Sequence, residues 1–566
     1  MAADAETADF TPKYNDFSWK VFNDPIHGHI SLHRVCVAII DTPQFQRLRN
    51  IKQLGGGYFV YPGASHNRFE HSIGVCHLAG ELVKTLQKRH PDLITDKDVL
   101  CVEIAGLCHD LGHGPFSHVF DNMVIPLVTN EKWKHEDGSV DMFDYMIQQN
   151  RNLRQELIKC GIMPDEQLDL PDGTKPEGKD LAFIKNLICP PSEDEEKKFP
   201  DDGRGPHQEF LYEIVANKKS EVDVDKWDYF LRDCHHLGMR SSFDHNRYIR
   251  FALVIEHQGK GRLCVRDKEA FNIYQLFQTR HALYKKAYKH RVTNAVEYMI
   301  TDILVEARDV KLIPGERTNE KRTILECIDD MDAYTNLTDD VLQLIRVSDD
   351  VNLRKSQALI KALNTRNLYR FVAQTKPFTY NIPEILPRNP EEMKKVLCKD
   401  TAIPEERIIV QEVTLDFGKK KKNPVDEQLF FSKQKSKKAK TVSQSMEANL
   451  DSDNVEAQIS EEQPKRKSYK AKTISQTEVS YLLPKETFQE RLIRVYLKHA
   501  WKEDMTLADH DDDECEKLKK SFKKLCGCHY KVEEDEDQET AHEDRTDQEN
   551  PRNEESAPGT SSQSDQ

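Results

Sequence analysis

Between Cys108 and His118 the chain reads Cys-His-Asp-Leu-Gly-His-Gly-Pro-Phe-Ser-His, which places His109, Asp110, His113 and His118 within one short stretch. A neighbouring His-Asp pair offers a metal ion two unlike ligands, an imidazole nitrogen and a carboxylate oxygen. The apolar run Val99 to Leu107 comes just before. Leu100, Ile104, Leu107 and Leu111 recur there at helical spacing, so His109 and Asp110 are expected to end a buried helix. Gly112, Gly114 and Pro115 stop that helix and put the later histidines on a turn. An isolated His-Asp pair can also be a structural ion pair. A second copy, His510-Asp511, sits in the acidic run Asp509 to Glu514 without an apolar face and reads as solvated tail.

Other elements must bring further ligands to the first pair. His66 to His71 opens a helix whose apolar stripe continues through Val75, Leu78, Leu82 and Leu86; His71 lies at its inward start, either packed or a ligand. In Val222 to Asp233 the positions Asp225, Tyr229 and Asp233 share one helical face. Carboxylates beside Trp227 and Phe230 are costly unless paired with Lys226 or Arg232, or bound to a metal. Together His71, His109, Asp110 and Asp225 suit a zinc, iron or manganese ion with positions left open. Phe271 to Asp302 reads as one long helix. Its aromatic and basic residues suit phosphate and base contacts, or form a solvated basic face. Gly55 to Gly57 is a flexible turn with no phosphate role.

With 566 residues the chain is too long for one compact core and suggests three or four domains. Its 32% charged residues require that part of it be solvated or disordered. The net charge of −15 is uneven, with lysines gathered in 419–472 and acids from Asp509 on, so it says little about the core's ligand. Thirteen cysteines without a Cys-x-x-Cys pair read as reduced thiols. Neither a signal peptide nor an apolar membrane span is found, so a soluble intracellular protein is expected. Residues 1–15 read as a disordered tail and 16–400 as the catalytic region. Residues 401–500 read as a C-terminal subdomain with a disordered Lys/Ser-rich insert at 434–475, and 501–566 as an acidic, largely disordered tail. Lys20 to Ile30 is expected to be strand and turn, Ile408 to Phe417 and Gln428 to Phe431 strands, and 164–206 a surface excursion. Pro464-Lys465-Arg466-Lys467 is a candidate nuclear-import signal or a basic surface loop.

The order His…His-Asp…Asp is that of the HD-domain metal phosphohydrolases. The strings Asp41–Arg49, His66–His71, Cys108–His118 and Asp225–Asp233 resemble the vertebrate SAM-and-HD-domain deoxynucleoside triphosphate triphosphohydrolases, over about 16–435 and 479–497. A SAM domain is not expected before the HD region, and no counterpart is expected there for the lysine-rich insert and acidic end.

The resemblance implies a mainly α fold, an HD-domain helical core with a small α+β C-terminal subdomain. It implies attack at the α-phosphate of a dNTP, releasing deoxynucleoside and triphosphate. His135, then His118 and His113, are the candidate acids for the departing 5′-oxygen. Arg68, Lys226 and Arg280 would hold the triphosphate, with His113 and His118 near the substrate. Tyr229 and Asp233 would hold the sugar 3′-hydroxyl, and Gln53, Leu54 and Tyr288 would line sugar and base. Lys289 and Tyr284 stand where the family has glutamine and histidine, so base contacts are expected to differ.

The resemblance also implies a homotetramer activated by GTP or dGTP and a dNTP, with Mg2+ on the nucleotide phosphates. The matching residues are Lys20, Val21, Asn23, Asp41, Gln46, Arg49, Val60, Arg247, Arg266, Lys268, Asn272, Lys286, His290, Arg291, Arg366 and Lys433. Asp41 would accept from the N1–H and N2–H of guanine. Lowering of dNTP pools, antiviral restriction, genome maintenance and a nuclear location with a cytoplasmic share follow as expectations. The competing classes are another HD phosphodiesterase or nuclease, and a single-stranded nucleic-acid-binding protein using the lysine-rich insert.

Overall fold

The computed structural model describes residues 19–129, 133–171, 173–191, 201–379, 386–387, 389–432, 469–483 and 487–531. Three helices form the centre. Arg68–Arg89 begins with a capping box, in which the Asn67 amide donates to Glu70 Oε1 at 2.7 Å. Asp96–Cys108 begins with another, between Thr95 and Asp98. In Val224–His236 the Asp223 carboxylate accepts from the Lys226 amide. The first packs against both others. Their inward residues, Ile73, Val75, Leu82, Val102, Ile104, Leu107, Trp227 and Phe230, lie in one continuous core. The Asp96–Cys108 helix ends as expected, with His109 as its C-cap.

Lys20 to Ile30 forms the antiparallel hairpin Trp19–Asp24 and Gly28–His33. The strand expected over Ile408 to Phe417 spans Ile408–Asp416, and the next spans Leu429–Phe431. Gln489–Leu497 lies antiparallel between Arg370–Gln374 and Ile408–Asp416. This sheet and the helices Pro390–Thr401 and Asp512–Cys526 enclose a second core of Val372, Met393, Leu397, Ile493, Leu518 and Phe522.

Four expectations are corrected. Phe271 to Asp302 is not one helix. Ala270–Leu283 runs into a widened turn, Tyr284–Tyr288, breaks at Lys289-His290 and restarts as Arg291–Glu306, where the His290 ring accepts from the Val292 amide. Within 164–206, the helix Lys179–Ile188 buries Leu181, Phe183, Ile184 and Leu187; polar flanks diluted that short apolar stripe. The expected tail from 501 contains the helix Asp512–Cys526, whose Leu518 and Phe522 fill the second core. His510 is partly buried and bonds the Leu368 carbonyl at 2.9 Å. Lys472, placed in the disordered insert, pairs with Phe430. Ile474 is buried in the main core, so 469–475 of the insert is ordered. Residues 434–468 of the insert with the import signal, Lys433, residues 1–15 and the acidic end beyond 531 lie outside the described residues. All thirteen cysteines are free thiols, and no described helix is long and apolar enough to cross a membrane.

Candidate active site

The three central helices bring His71, His109, Asp110 and Asp225 together. His71 Nε2 lies 3.1 Å from Asp225 Oδ1 and 3.4 Å from Asp110 Oδ2. His109 Nε2 lies 3.4 Å from Asp110 Oδ1 and from Asp225 Oδ1. Each imidazole is oriented through its other nitrogen. His109 Nδ1 bonds the Gly106 carbonyl at 2.8 Å, and His71 Nδ1 bonds Asp228 Oδ2 at 2.7 Å. Asp228 is held in turn by Arg232 and His27. An imidazole held through its outer nitrogen by a carboxylate or a backbone carbonyl is oriented as metal-ligating imidazoles are. The ion pairs the sequence offered as the alternative go elsewhere: Arg232 to Asp228 and Asp24, Lys226 to Asp223 and Glu221.

The donor set suits a cation. His109 Nε2 is buried without a hydrogen-bond partner. Burial opposes a charge on His71, yet its bonds to Asp225 and Asp228 lift its imidazole to about 10. Burial would raise Asp110 and Asp225. Arg68 and His109 hold the first well below the usual carboxylate range, and His109 and His71 do the same for the second. His71, His109 and Asp110 lie close enough together to hold a divalent metal ion, with Asp225 facing both imidazoles.

A second group lies beside it: His113, His118, Asp121 and His135. His135 Nδ1 is 2.6 Å from Asp121 Oδ2, and its ring stacks on His113 at 3.9 Å. Burial opposes a charge on His135, but the bond to Asp121 raises its pKa; burial, then Arg68 and His135, push His113 down. One member is thus prone to carry a proton and its neighbour to stay neutral. Gly112 permits this approach, since a Cβ there would lie 2.2 Å from the His135 carbonyl. The turn that follows is strained: Phe116 and Ser117 have φ of 59° and 55°. Asp339 holds it by accepting from the Phe116 amide at 2.6 Å and the Lys52 amide at 2.9 Å. Ser117 Oγ accepts from Arg68 Nε at 3.0 Å, and Arg68 Nη1 reaches Asp110 at 2.7 Å.

Both groups open into one cavity of about 390 Å3. Its wall includes Gln53, Leu54, Arg68, His113, His118, Tyr229, Asp233, Tyr284, Tyr288 and Lys289, all expected from the sequence, and also Thr293 and Glu297. Asp233 is bonded by His66 at 2.7 Å and by the Tyr288 hydroxyl. Lys226 and Arg280 do not line it. Lys226 borders a smaller neighbouring cavity on the Asp225 side. Arg280 stacks over Tyr284 at 3.9 Å with two nitrogens buried and unpartnered.

The residues matched to activator sites fall into separate groups. Lys20, Val21 and Asn23 are exposed on the first hairpin, and Asp41 is exposed near Gln46, which accepts from Arg49. Arg247 and Arg266 both lie over Phe251, with Lys268 and Asn272 following in the chain. Arg366 bonds the Phe59 carbonyl beside Val60, and Tyr61 reaches the Lys286 carbonyl and the His290 ring. Arg291 lies over Phe371.

Asp121, Asp228, Asp339 and Glu297 were missed by sequence reasoning. Asp121 and Asp228 each stand three residues after a singled-out residue, His118 and Asp225, a helical spacing that could have flagged them. Nothing in the sequence marks Asp339.

The HD domain family matches residues 68–168, which covers both clusters except Asp225. The chain is 45% identical over 489 residues to the human deoxynucleoside triphosphate triphosphohydrolase SAMHD1, covering 85% of this chain and 70% of the human protein. It is 42% identical to the Danio rerio protein of that name, over 90% of this chain and 74% of the relative. A Dictyostelium discoideum SAMHD1 homolog is 34% identical over 90% of this chain and 81% of its own length.

Proposed function

The chain belongs to the SAMHD1 family of deoxynucleoside triphosphate triphosphohydrolases, and from that membership we propose that it hydrolyses dNTPs to deoxynucleoside and inorganic triphosphate. The observation that carries this reading is the unpartnered His109 Nε2, facing Asp110 and Asp225, two carboxylates that line a cavity sized for a small ligand. A divalent ion bound there supplies Lewis acidity toward water and phosphoryl oxygens. Zinc, iron and manganese each suit the donor set, with Mg2+ on the nucleotide phosphates.

The chain's own residues do the rest. Arg68, fixed by Asp110 and Ser117, neutralises charge on the α-phosphate. His135, its proton favoured by Asp121, protonates the departing 5′-oxygen, with His113 and His118 beside it. Tyr229 and Asp233 hold the 3′-hydroxyl, Gln53, Leu54 and Tyr288 the sugar and base, and Tyr284 and Lys289 the base edge. Lys226 and Arg280 meet the outer phosphates once the triphosphate is seated.

The same reading extends to control: GTP or dGTP and a dNTP activate the chain by bridging subunits of a homotetramer. The exposed Asp41 and the Arg247–Arg266 pair support it as guanine and phosphate contacts. Such an enzyme lowers dNTP pools in the nucleus and serves antiviral restriction and genome maintenance. Incubating purified protein with each dNTP, with and without GTP, tests the activity; absence of inorganic triphosphate refutes it. Asp41→Ala tests the control: chromatography should show no GTP-driven tetramer, and normal assembly refutes that part.

A further inference from the structure

The wall of the cavity that carries Tyr284, Tyr288, Lys289 and Glu297 is formed at a helix break. A break leaves carbonyls without intrahelical partners, and an unfilled carbonyl there would let the wall move. The partner comes from far along the chain. Arg494, on the strand Gln489–Leu497, donates Nη1 to the Lys289 carbonyl at 2.6 Å and to Asn294 Oδ1 at 3.1 Å. Its Nε donates to Gln374 Oε1 at 3.2 Å, which ties it to the neighbouring strand. Asn294 passes the contact on, donating to Glu297 Oε2 at 2.9 Å. Two residues along, the Tyr496 hydroxyl donates to the Arg291 carbonyl at 3.2 Å.

Arg494 is 8% exposed, and among the described residues no carboxylate lies within ion-pair distance of it. A buried guanidinium is costly, and here it is spent on neutral acceptors at the break. Its charge also suits the carbonyl end of the preceding helix.

We infer that Arg494 is a positioning residue for the nucleotide site: it fixes the Tyr288–Arg291 break so that Tyr288 and Lys289 face the bound sugar and base. The inference rests on the proposed dNTP-hydrolysing reading for its substrate. It makes the C-terminal sheet part of the active site's construction, although no residue of that sheet lines the cavity.

The test compares Arg494→Met, which keeps much of the stem and removes the donors, with Arg494→Lys, which keeps one donor. In the full-length protein, Arg494→Met should raise KM for dATP roughly tenfold, short of the about 10²-fold that a 1 Å misplacement of reacting groups costs. Its kcat should stay within about twofold and its metal content unchanged. Amide exchange should speed up within 284–293 and not elsewhere, and Arg494→Lys should be intermediate in both measures. Should Arg494→Met fail to fold, the intermediate behaviour of Arg494→Lys decides. Unchanged exchange at 284–293 overturns the inference. So does a lower kcat at unchanged KM with faster exchange throughout the second core, which marks a merely structural residue. If the wild type hydrolyses no dNTP, the proposed activity fails. The inference is then decided separately by local exchange and by the affinity for a non-hydrolysable α,β-imido dATP.

Discussion

Two histidine clusters meet at one cavity, the first through its carboxylates Asp110 and Asp225 and the second through His113, His118 and His135 themselves, and the same residue types are held in different ways. In the first, His71 and His109 each spend Nδ1 on an outer acceptor, Asp228 or the Gly106 carbonyl, and turn Nε2 toward two carboxylates. In the second, His135 spends Nδ1 on Asp121, which raises its pKa, with Glu136 farther off at 3.6 Å, and its ring borders the open cavity. A carboxylate backs His71 and His135 alike, so the clusters differ in what lies ahead of the ring: Asp110 and Asp225 for His71, the open cavity for His135.

The largest break in this comparison comes from the ligand side. Asp225→Ala removes a carboxylate that faces both imidazoles, so the ion should be lost and turnover should fall to background. Elemental analysis beside the dNTP assay checks this; full metal occupancy would place the ligand set elsewhere. His135→Ala should keep the metal and lose about 10²–10⁴-fold in kcat, as for a missing general acid. Single-turnover kinetics measures it, and an unchanged rate hands the role to His118 or His113. Next in size is Asp228→Asn, which keeps shape but weakens the acceptor behind His71. Metal affinity should drop about 10–100-fold, read by competition with a chelator.

The smallest effect sharpens the contrast through pH. Burial opposes the His135 charge and Asp121 overcomes it, so its folded pKa lies above the ordinary 6.5. Its stabilising contribution is complete below 6.5 and fades as pH rises through the folded value. Activity that needs its proton is lost over the same rise. Asp121→Asn should move the alkaline limb of the kcat profile to lower pH, while the metal content holds. A limb that does not move separates Asp121 from the proton transfer.

Much of the site is legible in the sequence because its ligands end or line helices with clear periodicity. The stripes around His71 and Val99 to Leu107, and the Asp225–Tyr229–Asp233 face, place these side chains inward whatever packs against them. The break in Phe271 to Asp302 is not legible. Nothing in that segment stops a helix, and the carbonyls freed there are met by Arg494 and Tyr496, some two hundred residues later. The acidic run before Asp512 hid a docked helix for a similar reason. Its Leu518 and Phe522 are few among lysines and acids, and only the sheet across from them makes them a core face. Asp339 shows the limit most clearly. Its carboxyl, pushed by burial to about 7, ties the strained Phe116–Ser117 turn to Lys52. Local periodicity reports which side of an element is apolar. Which distant donor meets which stranded acceptor depends on how the elements pack, and that the tertiary structure alone decides.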